Sequence, residues 1–169
     1  MHLLVRNALK TSCAAASQGV RHVSAARAFK LVPLYTAKVK ATGGRVGRIL
    51  SDDYVLNMPL ITPKGLGGPG GPQTNPEQLF AGGYSACFLG AYKLAAANSK
   101  VALSPETSIT AAVDIGKAAD GGFVLAVELV VNAPGLDKAT AQKLAENAHQ
   151  ICPYSRATRD NIEVKLTVV

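Results

Sequence analysis

Two cysteines and two ions of opposite charge are the side chains best suited to redox chemistry here. Cys87 and Cys152 stand 65 residues apart, with no CxxC pair and no other cysteine except Cys13 near the N-terminus in 169 residues. A structural zinc site wants four ligands at short spacings. His149 and Cys152 lie three apart on one helix face, but no second such pair follows. Isolated thiols are often inert core residues, whereas in a reducing compartment a pair that does react does so as a transient or catalytic disulfide. The residues alone leave both readings open.

The two thiols differ in their local fields. Cys152 falls at a helix C-terminus, where the negative end of the dipole disfavours a thiolate. Cys87 falls within the apolar stretch "NPEQLFAGGYSACFLGAYKLAA", 75 to 96. Burial there raises its pKa unless a cation is brought to it. The cations on offer are Arg45, in the glycine-flanked "TGGRVGR", and Arg48 just after it. Glu77 can hold a guanidinium through both carboxylate oxygens.

The elements that must position these groups are readable from periodicity and punctuation. "LYTAKVKA" (34–41), "RVGRILS" (45–51) and "YVLNMPL" (54–60) predict a meander of short strands. The segment "TPKGLGGPGGPQT" (62–74) reads as a long mobile loop without regular structure. Asn75 as N-cap, Pro76 at the first helical position and Glu77 in the first turn predict a helix start. Alternating apolar residues predict strands over 107–116, 123–131 and 162–169, and an amphipathic pattern predicts a helix over 137–152 that stops at Pro153. Strands in runs, then helix, strands, helix and strand, indicate an α+β fold with mainly antiparallel sheets packed on a buried central helix.

Composition excludes some functions. The chain is 48% hydrophobic and carries a net charge of +7, which would favour phosphate backbones if it were spread over the fold. It is not. Five of the 18 basic side chains and none of the 11 acids lie in residues 1–30, leaving residues 31–169 at +2. Nucleic-acid binding therefore has little support. The longest uncharged apolar run, Leu79 to Tyr92, is short for a membrane span. Residues 1–30, basic, acid-free and rich in Ala and Ser, have the make-up of a mitochondrial targeting peptide, with "ARAF" placing the mature start near Phe29 or Lys30. The expected organisation is a leader over 1–30 and one domain over 31–169.

The motifs "TGGRVGR", "LGGPGG", "TNPEQLFAGGYSACFLGA" and "PGLDKATAQKLAENAHQICPYSRATRDNIEV" resemble the organic hydroperoxide resistance (Ohr) proteins of the Ohr/OsmC superfamily, over about residues 34–169. The resemblance implies an intertwined homodimer with sites at the subunit interface and a thiol-dependent peroxidase without haem, metal or flavin. It assigns Cys87 as peroxidatic and Cys152 as resolving cysteine, Arg45 as the arginine that activates the thiolate, and Glu77 as the carboxylate that orients it. It also implies no bound cofactor and an external dithiol, typically the dihydrolipoyl group of a lipoylated protein, as reductant. A mitochondrial matrix location agrees with that partner. The alternatives are a non-enzymatic redox sensor that holds a lipid-like hydroperoxide, and an inert structural dimer.

One geometric expectation follows. Glu77 and Cys87 are ten residues apart, about 15 Å along an unbroken helix, too far for one arginine to serve both. Gly82 and Gly83 lie between them, so a break there is expected. Residues 76–81 would form a separate short helix, bringing Glu77 and Cys87 to a common Arg45.

Overall fold

A computed structural model describes residues 31–169; the leader read over 1–30 lies outside the described residues. The chain divides into two units, Met1–Thr36 and Ala37–Val169. Residues 31–36 of the first contain no helix or strand, and the elements belong to the second. Strands β1 (Val39–Thr42), β2 (Arg48–Ser51) and β3 (Asn57–Pro59) come first, with a 3-10 turn at Gly44–Val46 between β1 and β2. After them come helix α1 (Pro76–Asn98), strands β4 (Ser108–Lys117) and β5 (Phe123–Asn132), helices α2 (Lys138–Ile151) and α3 (Pro153–Thr158), and strand β6 (Val164–Val168).

Two three-stranded sheets result, β1-β2-β3 and β4-β5-β6. The fold is α+β. Three strand pairs are antiparallel, but β6 lies parallel to β5, with Leu129 opposite Leu166. A parallel neighbour requires a crossover rather than a hairpin, and α2 with α3 supplies it. Among the described residues no helix is long and apolar enough to cross a membrane.

The core lies between α1, α2 and the second sheet. Tyr84, Phe88, Tyr92, Ala95 and Ala96 of α1 meet Ala141, Leu144, Ala145 and Ala148 of α2, over Val127, Leu129 and Val131 of β5. Alanines on α2 let the helices approach closely. Burying Phe88 completely contributes about 1.5–3 kcal/mol. The first sheet is much barer, burying little apolar surface beyond Ile49.

Two expectations need correction. Segment 62–74 is not without regular structure: it contains a 3-10 turn at Lys64–Leu66. Gly70 N–H donates to the Thr62 carbonyl, and Ile61 N–H to the Thr74 carbonyl. Closed in this way, the loop delivers Asn75 to the N-cap of α1, where its side chain accepts from the Gln78 N–H at 2.9 Å. The chain after Pro153 is also helical. Proline ends α2 as expected, yet its fixed φ suits the first position of the next helix, α3.

The second correction is the break at Gly82 and Gly83. Helix α1 runs continuously from Pro76 to Asn98. The glycines cost helix propensity without stopping the hydrogen-bond ladder, and Gly83 has a packing reason instead. A Cβ there would lie 2.9 Å from the Tyr154 hydroxyl oxygen and 3.2 Å from its Cε2. The Tyr154 ring is held on the other sides by Phe80 and Tyr84, at centroid distances of 6.1 and 5.7 Å. On its remaining side the residue is 39% exposed, so an added methyl can be accommodated only by moving the ring toward solvent and off Phe80 and Tyr84. Helix propensity favours Gly83→Ala by about 1 kcal/mol, whereas overpacking costs about 1–3 kcal/mol. The expected outcome in urea unfolding is a net loss of up to about 2 kcal/mol; a gain near 1 kcal/mol would mean that the ring yields freely.

Candidate active site

Cys87 occupies the middle of α1 and is half-buried. Cys152 is completely buried at the corner between α2 and α3. It caps both helices: its N–H donates to the Ala148 carbonyl at 2.8 Å, and its carbonyl accepts from the Arg156 N–H at 3.0 Å. Extended backbone angles at Cys152, φ −62° and ψ 125°, turn the chain between them. The corner packs on α1 and brings the two free thiols to a sulfur–sulfur distance of 3.5 Å. Two thiols in contact can lose two electrons and two protons to become a disulfide with little movement of the backbone.

The Cys87 thiol has a raised pKa. Burial is the main cause; hydrogen bonding from the Tyr154 backbone amide opposes it, and Cys152 adds to the rise. A buried thiol is thus poised against ionisation, with one backbone dipole on the thiolate's side.

Arg45 and Glu77 meet as a two-pronged ion pair. Arg45 Nη2 donates to Glu77 Oε1 at 2.6 Å and Nη1 to Oε2 at 2.9 Å. The turn that presents Arg45 needs its glycines. Gly43 and Gly44 have φ of 70° and 59°, and a Cβ on Gly47 would overlap the Thr42 carbonyl oxygen. Glu77 is fixed from its own side by the first turn of α1. Beside the pair lies a groove of about 310 Å³ lined by Phe80, Ile115, Phe123, Val124 and Leu125.

The structure therefore joins the four side chains in two pairs: Arg45 with Glu77, and Cys87 with Cys152. It does not gather them around one guanidinium. Because α1 is unbroken, Glu77 and Cys87 remain about 15 Å apart along its axis, and the expected bend that would turn both toward a common Arg45 is absent. Arg48 instead donates to the Asn57 side chain at 2.6 Å. His149, three residues before Cys152, packs against Phe88 with ring centroids 6.5 Å apart. Its Nδ1 is buried without a hydrogen-bond partner, and burial lowers its pKa, which favours the neutral ring. Sequence reasoning passed over Tyr84, Tyr154 and Ser155. Their only signal was position, within four residues of one or other cysteine.

The Arg45 side chain lowers the pKa of Glu77, against an opposing contribution from burial. A lowered carboxyl pKa adds stability that is fully present above the unfolded value and is lost as pH falls through the folded value. Wild type should therefore exceed Glu77→Gln in unfolding free energy at pH 7. The difference should shrink as pH falls below the unfolded carboxyl value, near 4.5. Denaturant titrations across that range check this; a pH-independent difference would contradict it.

Comparison with known proteins places the fold in a family. The OsmC-like protein family matches residues 68–167. The organic hydroperoxide resistance protein of Xanthomonas axonopodis pv. citri (strain 306) is 56% identical over 135 residues, covering 80% of this chain and 94% of that protein. The crystal structure of the organic hydroperoxide resistance protein OhrB of Bacillus subtilis superposes with a TM-score of 0.74 at 46% identity, over 81% of this chain and 100% of that one. An organic hydroperoxide resistance protein from Elizabethkingia anophelis superposes with a TM-score of 0.76 at 53% identity, over 82% and 98%. The chain therefore belongs to the Ohr/OsmC family, with organic hydroperoxide resistance proteins among its relatives.

Proposed function

We propose that this chain is a cysteine-based peroxidase that reduces organic hydroperoxides to alcohols. Its kinship with organic hydroperoxide resistance proteins supports a peroxide-related role. The observation that carries the mechanism is the 3.5 Å contact between two free thiols, one half-buried and one fully buried. Cys87, as thiolate, attacks the distal oxygen of ROOH. The O–O bond breaks, the alkoxide takes a proton and leaves as alcohol, and Cys87 becomes a sulfenic acid. Cys152 then attacks that sulfur, an S–S bond forms, and water leaves. An external dithiol, such as the dihydrolipoyl group of a lipoylated protein, reduces the disulfide by thiol exchange. Residence in the mitochondrial matrix after loss of residues 1–30 would bring the chain to such a partner.

Arg45, oriented by Glu77, supplies the positive charge that the buried thiol lacks. One chain cannot deliver it. The groove beside Arg45 and Glu77 has apolar walls fit for an organic tail, but no sulfur lines it. A homodimer in which Arg45 of one subunit faces Cys87 of the other completes the site. The exposed apolar residues of the first sheet, its β1–β2 turn and α1, among them Val39, Val46 and Leu94, are consistent with such a partner. Apolar walls favour fatty-acid and alkyl hydroperoxides over hydrogen peroxide, because each buried methylene contributes about 0.8 kcal/mol of binding.

Steady-state peroxide consumption with a lipoylated protein as reductant tests the reading. Multiple turnovers are expected, with higher kcat/KM for a fatty-acid hydroperoxide than for hydrogen peroxide. Cys87→Ser should abolish turnover, and Cys152→Ser should react once and stall. Consumption of a single equivalent by wild type, with reductant present, would favour the sensor instead. A co-refolded mixture of Cys87→Ser and Arg45→Ala subunits tests the shared site. Each variant alone should be inactive or nearly so, and the mixed dimer should regain turnover; a mixture no better than its components would place both groups in one subunit.

A further inference from the structure

Beyond the thiols, the most connected polar cluster in the core consists of three hydroxyls. Tyr84 Oη lies 3.0 Å from Ser155 Oγ and 3.2 Å from Thr158 Oγ1. Tyr84 and Ser155 are completely buried and Thr158 nearly so. The Thr158 hydroxyl has the Tyr154 and Ser155 carbonyls within reach at 3.0 and 3.2 Å; when it donates there, its oxygen can accept from Tyr84 and Tyr84 can accept from Ser155. Each hydroxyl has one proton, and this order uses all three. A tyrosine hydroxyl is thereby tied into a helix of only six residues.

The placement of the cluster relative to the cysteines is the telling feature. Tyr84 precedes Cys87 by three residues in α1, on the same side by the helical period. Ser155 follows Cys152 by three residues, one turn into α3. The hydroxyl link therefore ties α1 to α3 one turn from each sulfur. Cys152 joins the two helices of the corner, with extended backbone between them, so the position of its sulfur depends on how α3 as well as α2 is seated. The Tyr154 ring, wedged against Gly83, Phe80 and Tyr84, holds the same short helix from another side.

We propose that Tyr84 and Ser155 are positioning residues: their hydroxyl link holds α3 on α1 and so sets how readily Cys87 and Cys152 close to a disulfide. This rests on the reading of the two cysteines as a redox pair. During closure the link would restrain α3 while the Cys152 thiol attacks the Cys87 sulfenic acid, forming the S–S bond and releasing water. The link touches neither substrate nor reductant. Its effect is on the effective concentration of one sulfur at the other.

The test is the dithiol–disulfide equilibrium of the full chain in glutathione redox buffers, quenched with acid, alkylated and weighed by mass spectrometry. Tyr84→Phe keeps the ring and removes the hydroxyl; Ser155→Ala removes one oxygen from the other end. Tyr84→Phe should lower the effective concentration about tenfold, moving the midpoint about 30 mV in the oxidising direction. Ser155→Ala should move it the same way but by less, since Tyr84 keeps its contact with Thr158, and the double variant should match Tyr84→Phe alone. Tyr92→Phe is the control. That hydroxyl is also buried on α1 but donates to the Ala141 carbonyl at 3.3 Å on α2, and its loss should leave the midpoint unchanged. An unmoved midpoint in both Tyr84→Phe and Ser155→Ala, or an equal shift in Tyr92→Phe, overturns the proposal. The equilibrium needs no peroxide, so the two readings fail separately. A responsive disulfide without hydroperoxide turnover would defeat the peroxidase and spare the link, whereas turnover with an unmoved midpoint would defeat the link alone.

Discussion

The seating of the α2–α3 corner on the middle of α1 is the contact on which the site depends. α1 is the element around which the core closes, and its buried face presents Tyr84 and Phe88 on either side of Cys87 in sequence. The corner brings Cys152 to that point and nowhere else, because Pro153 forbids α2 to continue and starts α3 in a new direction. Alanines along α2 allow the approach, and the parallel return to β6 requires the crossover that contains the corner. Sheet topology, helix packing and the distance between two sulfurs are thus one constraint seen at three scales.

Electrostatics work against the first thiol within a single chain. Burial keeps Cys87 protonated, and the Tyr154 amide only partly offsets it. Arg45, a cation gripped by a carboxylate through both guanidinium nitrogens, is spent on Glu77. Such a pair is not wasted if its purpose is orientation. A carboxylate that grips both guanidinium nitrogens fixes the plane of the group while leaving its positive charge available to a second anion. The separation of the ion pair from the sulfur pair along an unbroken helix is what argues for a site shared between two copies.

Much of the fold was legible in the sequence because the signals were local. Asn75, Pro76 and Glu77 marked the start of α1, and alternation in "FVLAVELVV" marked β5. The pairing of Arg45 with Glu77 and of Cys87 with Cys152 followed from residue chemistry together with the family resemblance. What escaped was tertiary. Gly82 and Gly83 read as a break, since propensity counts the missing side chain and not the Tyr154 ring that fills the space at Gly83. The segment 62–74 read as featureless because its closing hydrogen bonds join backbone groups, which composition does not report. Tyr84 and Ser155 looked like ordinary members of their helices, as nothing in one dimension indicates that residues 71 apart share a hydrogen bond.

The central claim is that Cys87 and Cys152 act as one redox unit on a hydroperoxide. The most direct measurement adds one equivalent of an organic hydroperoxide to the fully reduced chain, without reductant, then quantifies the alcohol and maps the peptides by mass spectrometry. The expected result is one equivalent of alcohol and a single linked peptide pair containing Cys87 and Cys152. Alcohol formed without that link, or hydroperoxide left unreacted beside two free thiols, would contradict the account.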